Sequence, residues 1–443
     1  MNHLLLVISI LFSYAYSTAQ IEVVSHKVFS NNVEIHYTTV GHGMPMLIIN
    51  GGPGFSSEGF LPLAKQIGKF NIQAILFDQR GTGKSKVKEL SLDNISLDLM
   101  VEDIEAIRKD LGIKQWIILG HSFGGMLAGY YTSKHPKSTQ GIIFSSSGGL
   151  DLDLLGNSSN GIESNLTAQE VDSLNYWRAR HNESQNTKDR DKFHSYLARA
   201  YVLNPKYYKT VADRLGQGNR QLNRMVWQSM QNKSYDVKDE LTTYEHPVII
   251  LHGEKDIVAR QVAETTHSVF KNSGLVFLDN TAHYGWLDNP DKYFTSIEDY
   301  LNRIDEYKVR RVLRDYVQAI YKADTTLVHK ITSTSLQKSG HFFSKKRQSW
   351  SYSNMNFQEL VETANTYNRK KWLPDWAPID ITIYDINEKV ASAKVKAIWG
   401  FDYVLLSRDK IDNWKMDKIL WQSYSPEEEK SYLLSIKNKY NKK

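Results

Sequence analysis

From Ile21 to Val40 the apolar and polar positions read as two short strands around the turn Ser30-Asn31-Asn32. Met46 to Ile49 is a continuous apolar run, the mark of a buried strand, and it ends in Asn50-Gly51-Gly52-Pro53-Gly54. Ala74 to Phe77 is a second such run, closed by Asp78-Gln79-Arg80-Gly81. Met100, Ile104, Ile107 and Leu111 then recur at helical spacing on one face. Trp116 to Leu119 returns to strand, Gly120-His121-Ser122-Phe123-Gly124-Gly125 follows, and small residues open a helix through Ala128. Ile142 to Phe144 is the next strand. Strands alternating with helices predict an α/β fold whose mostly parallel sheet is covered by helices on both faces.

The pattern changes between about 149 and 245. Strand runs vanish, and polar helical segments rich in Asn, Gln, Tyr and Arg replace them. Val248 to Leu251 and Leu275 to Leu278 then resume the sheet. An insertion at this point is expected to lie over the carboxyl ends of the strands as a helical lid, where ligands bind in such sheets. A helix near Tyr293 to Ile304 ends the first unit. Val309, Leu313, Tyr316, Val317 and Ile320 open a second with an amphipathic helix. Alternation at Ile379, Ile381 and Ile383, then at Ala393, Val395, Ala397 and Trp399, predicts strands. Tyr403 to Leu406 and Trp414 to Trp421 complete an α+β module.

Composition narrows the function. The 443 residues are 41% hydrophobic and 23% charged, which suits a globular chain of two or three domains. The net charge of +6 is mild, and much of it gathers in Lys437, Lys439, Lys442 and Lys443, a solvated tail. No interior stretch has the one-sided basic face of a nucleic-acid binder. The absence of cysteine removes thiol nucleophiles, thiolate metal sites and disulfides. Leu4 to Phe12 is a short apolar run followed by small residues through Ser17-Thr18-Ala19. It is short for a membrane span and is expected to be a signal peptide over 1–19, cut before Gln20, with retention as an N-terminal anchor as the alternative; removal predicts export to the periplasm or outside. No other segment reads as transmembrane.

Gly120-His121-Ser122-Phe123-Gly124 fits G-x-S-x-G between a strand and a helix, where a tight, strained turn exposes the serine Oγ. Ser122 is therefore the candidate nucleophile. Such a serine needs a base, and the base needs an orienting acid, in the chain order Ser, Asp, His. The candidate acid is Asp256, just past a strand end, with Glu254 as competitor. The candidate base is His283, on the loop leaving Leu275 to Leu278. His252 reads as structural, His121 as packing beside the turn, and His267 as sitting on a helix. Acyl transfer also needs two N–H donors for the oxyanion; Phe123 and Gly52 are the candidates, although Gly51 to Gly54 also reads as a plain tight turn. Gly81-Thr82-Gly83-Lys84-Ser85 lacks the spacing of a phosphate loop. No motif implies a metal or an organic cofactor.

Together, Gly51-Gly52-Pro53-Gly54, Phe77-Asp78-Gln79-Arg80-Gly81-Thr82-Gly83-Lys84-Ser85 and Gly120-His121-Ser122-Phe123-Gly124-Gly125 resemble the proline iminopeptidase (prolyl aminopeptidase) family of α/β-hydrolases. The resemblance implies an α/β-hydrolase domain over 20–304 with its lid at about 149–245. It implies Ser122 as nucleophile, Asp256 as orienting acid, His283 as general base, and Gly52 and Phe123 at the oxyanion. Asp78 and Arg80 are expected to brace the adjoining loop. The chain departs from the family pattern at Asn50, where His is usual, and at Phe123, where Trp is usual. It also lacks the Trp-x-x-Trp-Glu segment whose carboxylates bind a free amine; Glu163, Glu170 and Glu183 match no part of it. With an opening helix from Val309 to Ala323 and a closing stretch Phe401-Asp402-Tyr403-Val404-Leu405-Leu406 followed by Trp414-Lys415-Met416, residues 305–443 resemble the SnoaL-like, lumazine-binding-like cone, which implies a module for packing or homodimerisation, with a small-ligand site as the alternative. The expected function is an exported aminopeptidase acting on short peptides. The alternatives are an esterase or other small-molecule serine hydrolase, and a non-catalytic binding protein on the same scaffold.

Overall fold

The computed structural model describes residues 21–154, 159–184, 186–373, 377–410 and 413–440. The expected signal peptide at 1–19 lies outside them, as do Lys442 and Lys443 of the basic tail. Contacts divide the chain into two units between Ile297 and Glu298.

The first unit holds eight strands among the described residues: β1 (Val23–Ser30), β2 (Val33–Val40), β3 (Met44–Ile49), β4 (Ile72–Phe77), β5 (Trp116–His121), β6 (Thr139–Ser145), β7 (Val248–Gly253) and β8 (Ser273–Leu278). Their order is β1-β2-β4-β3-β5-β6-β7-β8. β1 and β2 form an antiparallel hairpin whose turn places Asn31 and Asn32 at positive φ, a conformation asparagine tolerates. β2 joins β4 antiparallel, and every later pairing is parallel. This is the α/β fold that the alternating pattern predicts. β3 has β4 on one side and β5 on the other, so the strand order reverses there, and a crevice opens at the carboxyl ends of β3 and β5.

Helices α1 (Leu61–Ile67), α2 (Leu97–Asp110) and α3 (Phe123–Lys134) follow the early strands. Ser96 caps α2 by accepting from Leu99 N–H at 3.3 Å. Met100, Ile104 and Ile107 are fully buried against the sheet, and each such side chain stabilises the fold by about 1.5–3 kcal/mol. Between β6 and β7 the chain forms helices α4 (Ser159–Ser164), α5 (Ala168–Ser184), α6 (Thr187–Tyr201), α7 (Tyr208–Leu215), α8 (Arg220–Asn232) and α9 (Lys238–Leu241). α10 (Arg260–Val269) and α11 (Gly285–Asp288) complete the unit.

α12 (Pro290–Lys322) is one unbroken helix, where the sequence pattern predicts two with a boundary at 304/305. Proline opens it, and neither Gly nor Pro interrupts 291–322, so nothing terminates it earlier. The second unit adds α13 (Thr325–Ile331), β9 (Thr332–Ser344), β10 (Ser349–Asn356), α14 (Phe357–Tyr367), β11 (Asp380–Ile386), β12 (Val390–Ala397), β13 (Gly400–Arg408), β14 (Trp414–Ser423) and α15 (Pro426–Tyr440). Its sheet runs β10-β9-β14-β13-β12-β11, antiparallel except for β14 against β9. Val309, Leu313, Val317, Leu360, Val395 and Met416 build a separate core. No described helix is long and apolar enough to cross a membrane.

Candidate active site

Ser122 stands between β5 and α3 at φ 55°, ψ −123°, outside the helical and extended regions. Three main-chain hydrogen bonds fix this turn. Ser122 N–H donates to Ser145 O at 3.0 Å, while Gly125 N–H and Gly148 N–H donate to Ser122 O at 2.9 and 3.1 Å. A side chain at 124 would put its Cβ 2.1 Å from Ile49 O, so only glycine lets α3 start this close to β3. The G-x-S-x-G spacing thus reflects contact between the turn and the neighbouring strand.

Asp256 follows β7, and His283 follows β8. The pairing of those strands, with Lys255 N–H donating to Thr281 O at 2.9 Å, brings the two loops together. His283 Nδ1 lies 2.8 Å from Asp256 Oδ1, and both side chains are shielded from solvent. Asp256 Oδ1 also accepts from Val258 N–H at 3.0 Å. Burial alone raises the Asp256 pKa. The charges of His283 and His252, with hydrogen bonds from His283 and Ser146, outweigh it and hold the carboxyl well below the usual carboxylate range. Glu254, the competing acid, is exposed.

The other histidines take lesser places. His121 is buried with its Nδ1 3.1 Å from Ser145 O and its ring 4.7 Å from that of His283. Burial, and then the charge of His283, push its pKa well below the ordinary value, so it stays neutral beside His283. His252 Nε2 is 3.1 Å from Val258 O, and His267, on α10, meets Ser273 Oγ at 2.8 Å.

Gly51, Gly52, Ser122, Phe123 and His283 all line one cavity of about 360 Å³. The helical insertion supplies its other wall, with His194, Leu197 and Tyr201 from α6, Arg214 and Leu215 from α7, and Asn223 and Trp227 from α8. Gly52 adopts φ 69°, and neither its N–H nor that of Phe123 has a protein acceptor among the described residues. The adjoining loop is braced as the motif residues suggest. Asp78 accepts from Ser57 N–H, Ser57 Oγ and Lys84 N–H at 2.8–2.9 Å, and Arg80 clamps buried Asp103 at 2.5 and 2.8 Å. Asn50 donates to Phe55 O at 3.2 Å. The three insertion carboxylates stay out of the cavity lining. Glu163 and Glu183 are exposed, and Glu170 pairs with Arg199 at 2.7 Å.

Sequence reasoning missed two residues. Asp288 accepts from Leu203 N–H and Asn204 N–H, both at 2.9 Å, and from Ala282 N–H at 3.0 Å. It thereby ties the insertion to the loop carrying His283, whose own N–H donates to Tyr201 O at 3.0 Å. Arg214 is buried at the cavity wall. Position within a motif identifies neither; an acid five residues past His283 is the only hint of the first.

The alpha/beta hydrolase fold family matches residues 44–290. A proline iminopeptidase of Lactobacillus helveticus is 24% identical over 296 residues, covering 64% of this chain and 100% of its own length. One from Saccharolobus solfataricus is 25% identical over 306 residues, covering 63% of this chain and 91% of its own. Among solved structures, the proline iminopeptidase of Mycobacterium smegmatis superposes with a TM-score of 0.52 at 18% identity, over 64% of this chain and 99% of that one.

Proposed function

Because the chain belongs to the α/β-hydrolase family, we propose that it is a serine hydrolase that cleaves small esters or amides through an acyl-enzyme. The observation that carries this is the buried Asp256–His283 pair at 2.8 Å opening onto the same cavity as Ser122 on its strained turn. Ser122 Oγ attacks the substrate carbonyl carbon while its proton passes to His283 Nε2. The carbonyl oxygen becomes an oxyanion facing the N–H groups of Gly52 and Phe123. The C–O or C–N bond to the leaving group then breaks, and the leaving group takes the proton from His283. Water adds to the acyl-enzyme and gives His283 a proton. The acid departs as that proton returns to Ser122 Oγ. Asp256, ionised throughout, holds the imidazole tautomer and offsets its transient charge.

The relatives' names suggest a narrower activity, an aminopeptidase of the proline iminopeptidase type. That activity needs a negative group to hold the substrate's amine. None of the described cavity-lining residues is acidic, and the wall carries Arg214 instead. This favours the ester or amide hydrolase. Residues 1–19 are read as an export signal, and the second unit as a SnoaL-like packing or pairing module.

The test is labelling by a fluorophosphonate, with hydrolysis of proline anilide beside its N-acetylated twin. Wild type labels at Ser122, Ser122→Ala does not, and the free amine gives no advantage. Absence of labelling in folded wild type sinks the serine hydrolase. Cleavage confined to the free amine restores the aminopeptidase.

A further inference from the structure

Arg214 is 8% exposed and reaches from α7 to the loop before α1, where its Nη1 donates to Ser56 O at 3.1 Å. Its guanidinium lies 5.2 Å from the ring centre of Phe55 and 4.8 Å from that of Phe60. Nη2 is buried without a hydrogen-bond partner, and no carboxylate lies within 4.0 Å of the group among the described residues. Burial pulls its pKa down, while the charge of Tyr284 and a hydrogen bond with its side chain act the other way. A buried cation without a counter-charge is costly, the Phe55 and Phe60 rings offset part of that, and an anion reaching the cavity would offset more. This one faces the cavity that holds Ser122.

A second observation points the same way. An adjoining cavity of about 500 Å³ shares Phe55, His194 and Asn223 with the first and is lined by Arg190, Arg220 and Arg224. Asp191 pairs with Arg190 at 3.1 Å, but no acidic residue lines this cavity among the described residues. Clefts lined by one sign of charge concentrate ligands of the other.

We propose that the substrate is a small ester or amide bearing a free carboxylate, and that Arg214 binds this carboxylate while Ser122 attacks the carbonyl. This rests on the serine hydrolase reading above. It deepens that reading by assigning the substrate's charge and the residue that selects it. Ser56 O already engages Nη1, so the donors left for a carboxylate are those of Nη2, and an ammonium finds no acceptor there.

The experiment compares monophenyl adipate and monophenyl suberate with phenyl hexanoate and phenyl octanoate, and adds 3-(hexanoyloxy)benzoate, which carries its carboxylate on the leaving group. Wild type is expected to prefer a charged ester of one kind or the other in kcat/KM by about 30-fold or more, the low end for losing a buried charge partner. The charged-to-neutral ratio falls towards one in Arg214→Gln, whatever the absolute rates, and stays above one in Arg214→Lys. Fluorophosphonate labelling of each variant reports an intact site. If Arg214→Gln does not fold, wild type still decides, through protection of Ser122 from the probe by adipate but not by 1,6-hexanediol. Labelled wild type that cleaves charged and neutral esters equally, or prefers the neutral ones, overturns the inference and leaves the serine hydrolase standing. Failure to label overturns both.

Discussion

At Ser122 the main chain holds φ 55° with a non-glycine side chain, a conformation that costs of order 1–3 kcal/mol unless its surroundings impose it. The surroundings are the three main-chain hydrogen bonds of the turn and the contact of Gly124 with β3. The same logic of imposed geometry applies to the pair behind it. Asp256 is buried yet ionised, because His283 and hydrogen bonds outweigh its burial. Its carboxylate therefore serves one tautomer of His283, with Nδ1–H towards Asp256 and Nε2 free to accept. Asp256→Asn presents an amide that can select the wrong tautomer. It is expected to lower kcat by about 10⁴-fold with KM little changed. Glu254→Gln, on an exposed side chain, leaves steady-state rates at wild-type level. An equal loss in Glu254→Gln would transfer the orienting role to that residue.

Among the elements, β9 departs most from its sequence pattern. Its inward positions are Thr332, Leu336, Lys338 and Gly340 rather than an apolar series. Lys338 can face the core because Nζ donates to Asp402 Oδ1 at 2.8 Å and to Tyr316 OH at 2.7 Å. Tyr316 OH and Trp399 Nε1 in turn donate to Asp402 Oδ2 at 3.0 and 2.8 Å. Removing one partner of such a buried pair costs about 3–5 kcal/mol. Lys338→Ala is thus expected to shift the urea midpoint of the second unit, read by hydrogen exchange at β13 and β14. Lys330→Ala, at an exposed pair, lowers the stability of that unit by no more than about 1 kcal/mol. Comparable small shifts would show that the pair adds little to its packing. β9 was illegible in the sequence because its partners lie 22 and 64 residues away, and a buried lysine reads as a surface one until they are known. The parallel strands and the Ser122 turn were legible because their signal is local. Apolar runs end at Asn50 and Gly120, and small residues follow where backbone meets backbone. Asp288 and Arg214 were not, since each acts through groups that only the fold gathers. Asp288 satisfies main-chain donors from two separate loops, and Arg214 is set apart only by burial without a counter-charge.

At the scale of the whole molecule, buried histidines of the first unit, His121 and His252 foremost, contribute to how stability depends on pH. His121 and His252 are each 1% exposed, and burial, the leading cause in both, lowers their pKa values. A histidine held below its unfolded value of about 6.5 takes up its proton more readily in the unfolded chain. Its contribution is fully present above that pH and declines as pH falls towards the folded value. Asp256 behaves in the opposite sense to a raised carboxylate. Its contribution is present above about pH 3.9 and is lost only below that, as pH falls towards its depressed folded value. Between pH 7 and 5 the histidines therefore act alone of these three. His121 accounts for up to about 2 kcal/mol of destabilisation at pH 5. Protection factors of β5 and β6 amides, each exchange rate taken relative to the intrinsic rate at that pH, are expected to fall accordingly over that range, and less steeply in His252→Gln than in wild type. A flat profile would mean that His121 takes a proton within the folded state. Since its ring lies 4.7 Å from that of His283, such a proton would place a second positive charge against the imidazolium that the proposed mechanism forms on His283. The burial expected to make the first unit acid-sensitive is thus the same feature that would leave His283 able to accept a proton in the proposed serine hydrolase mechanism.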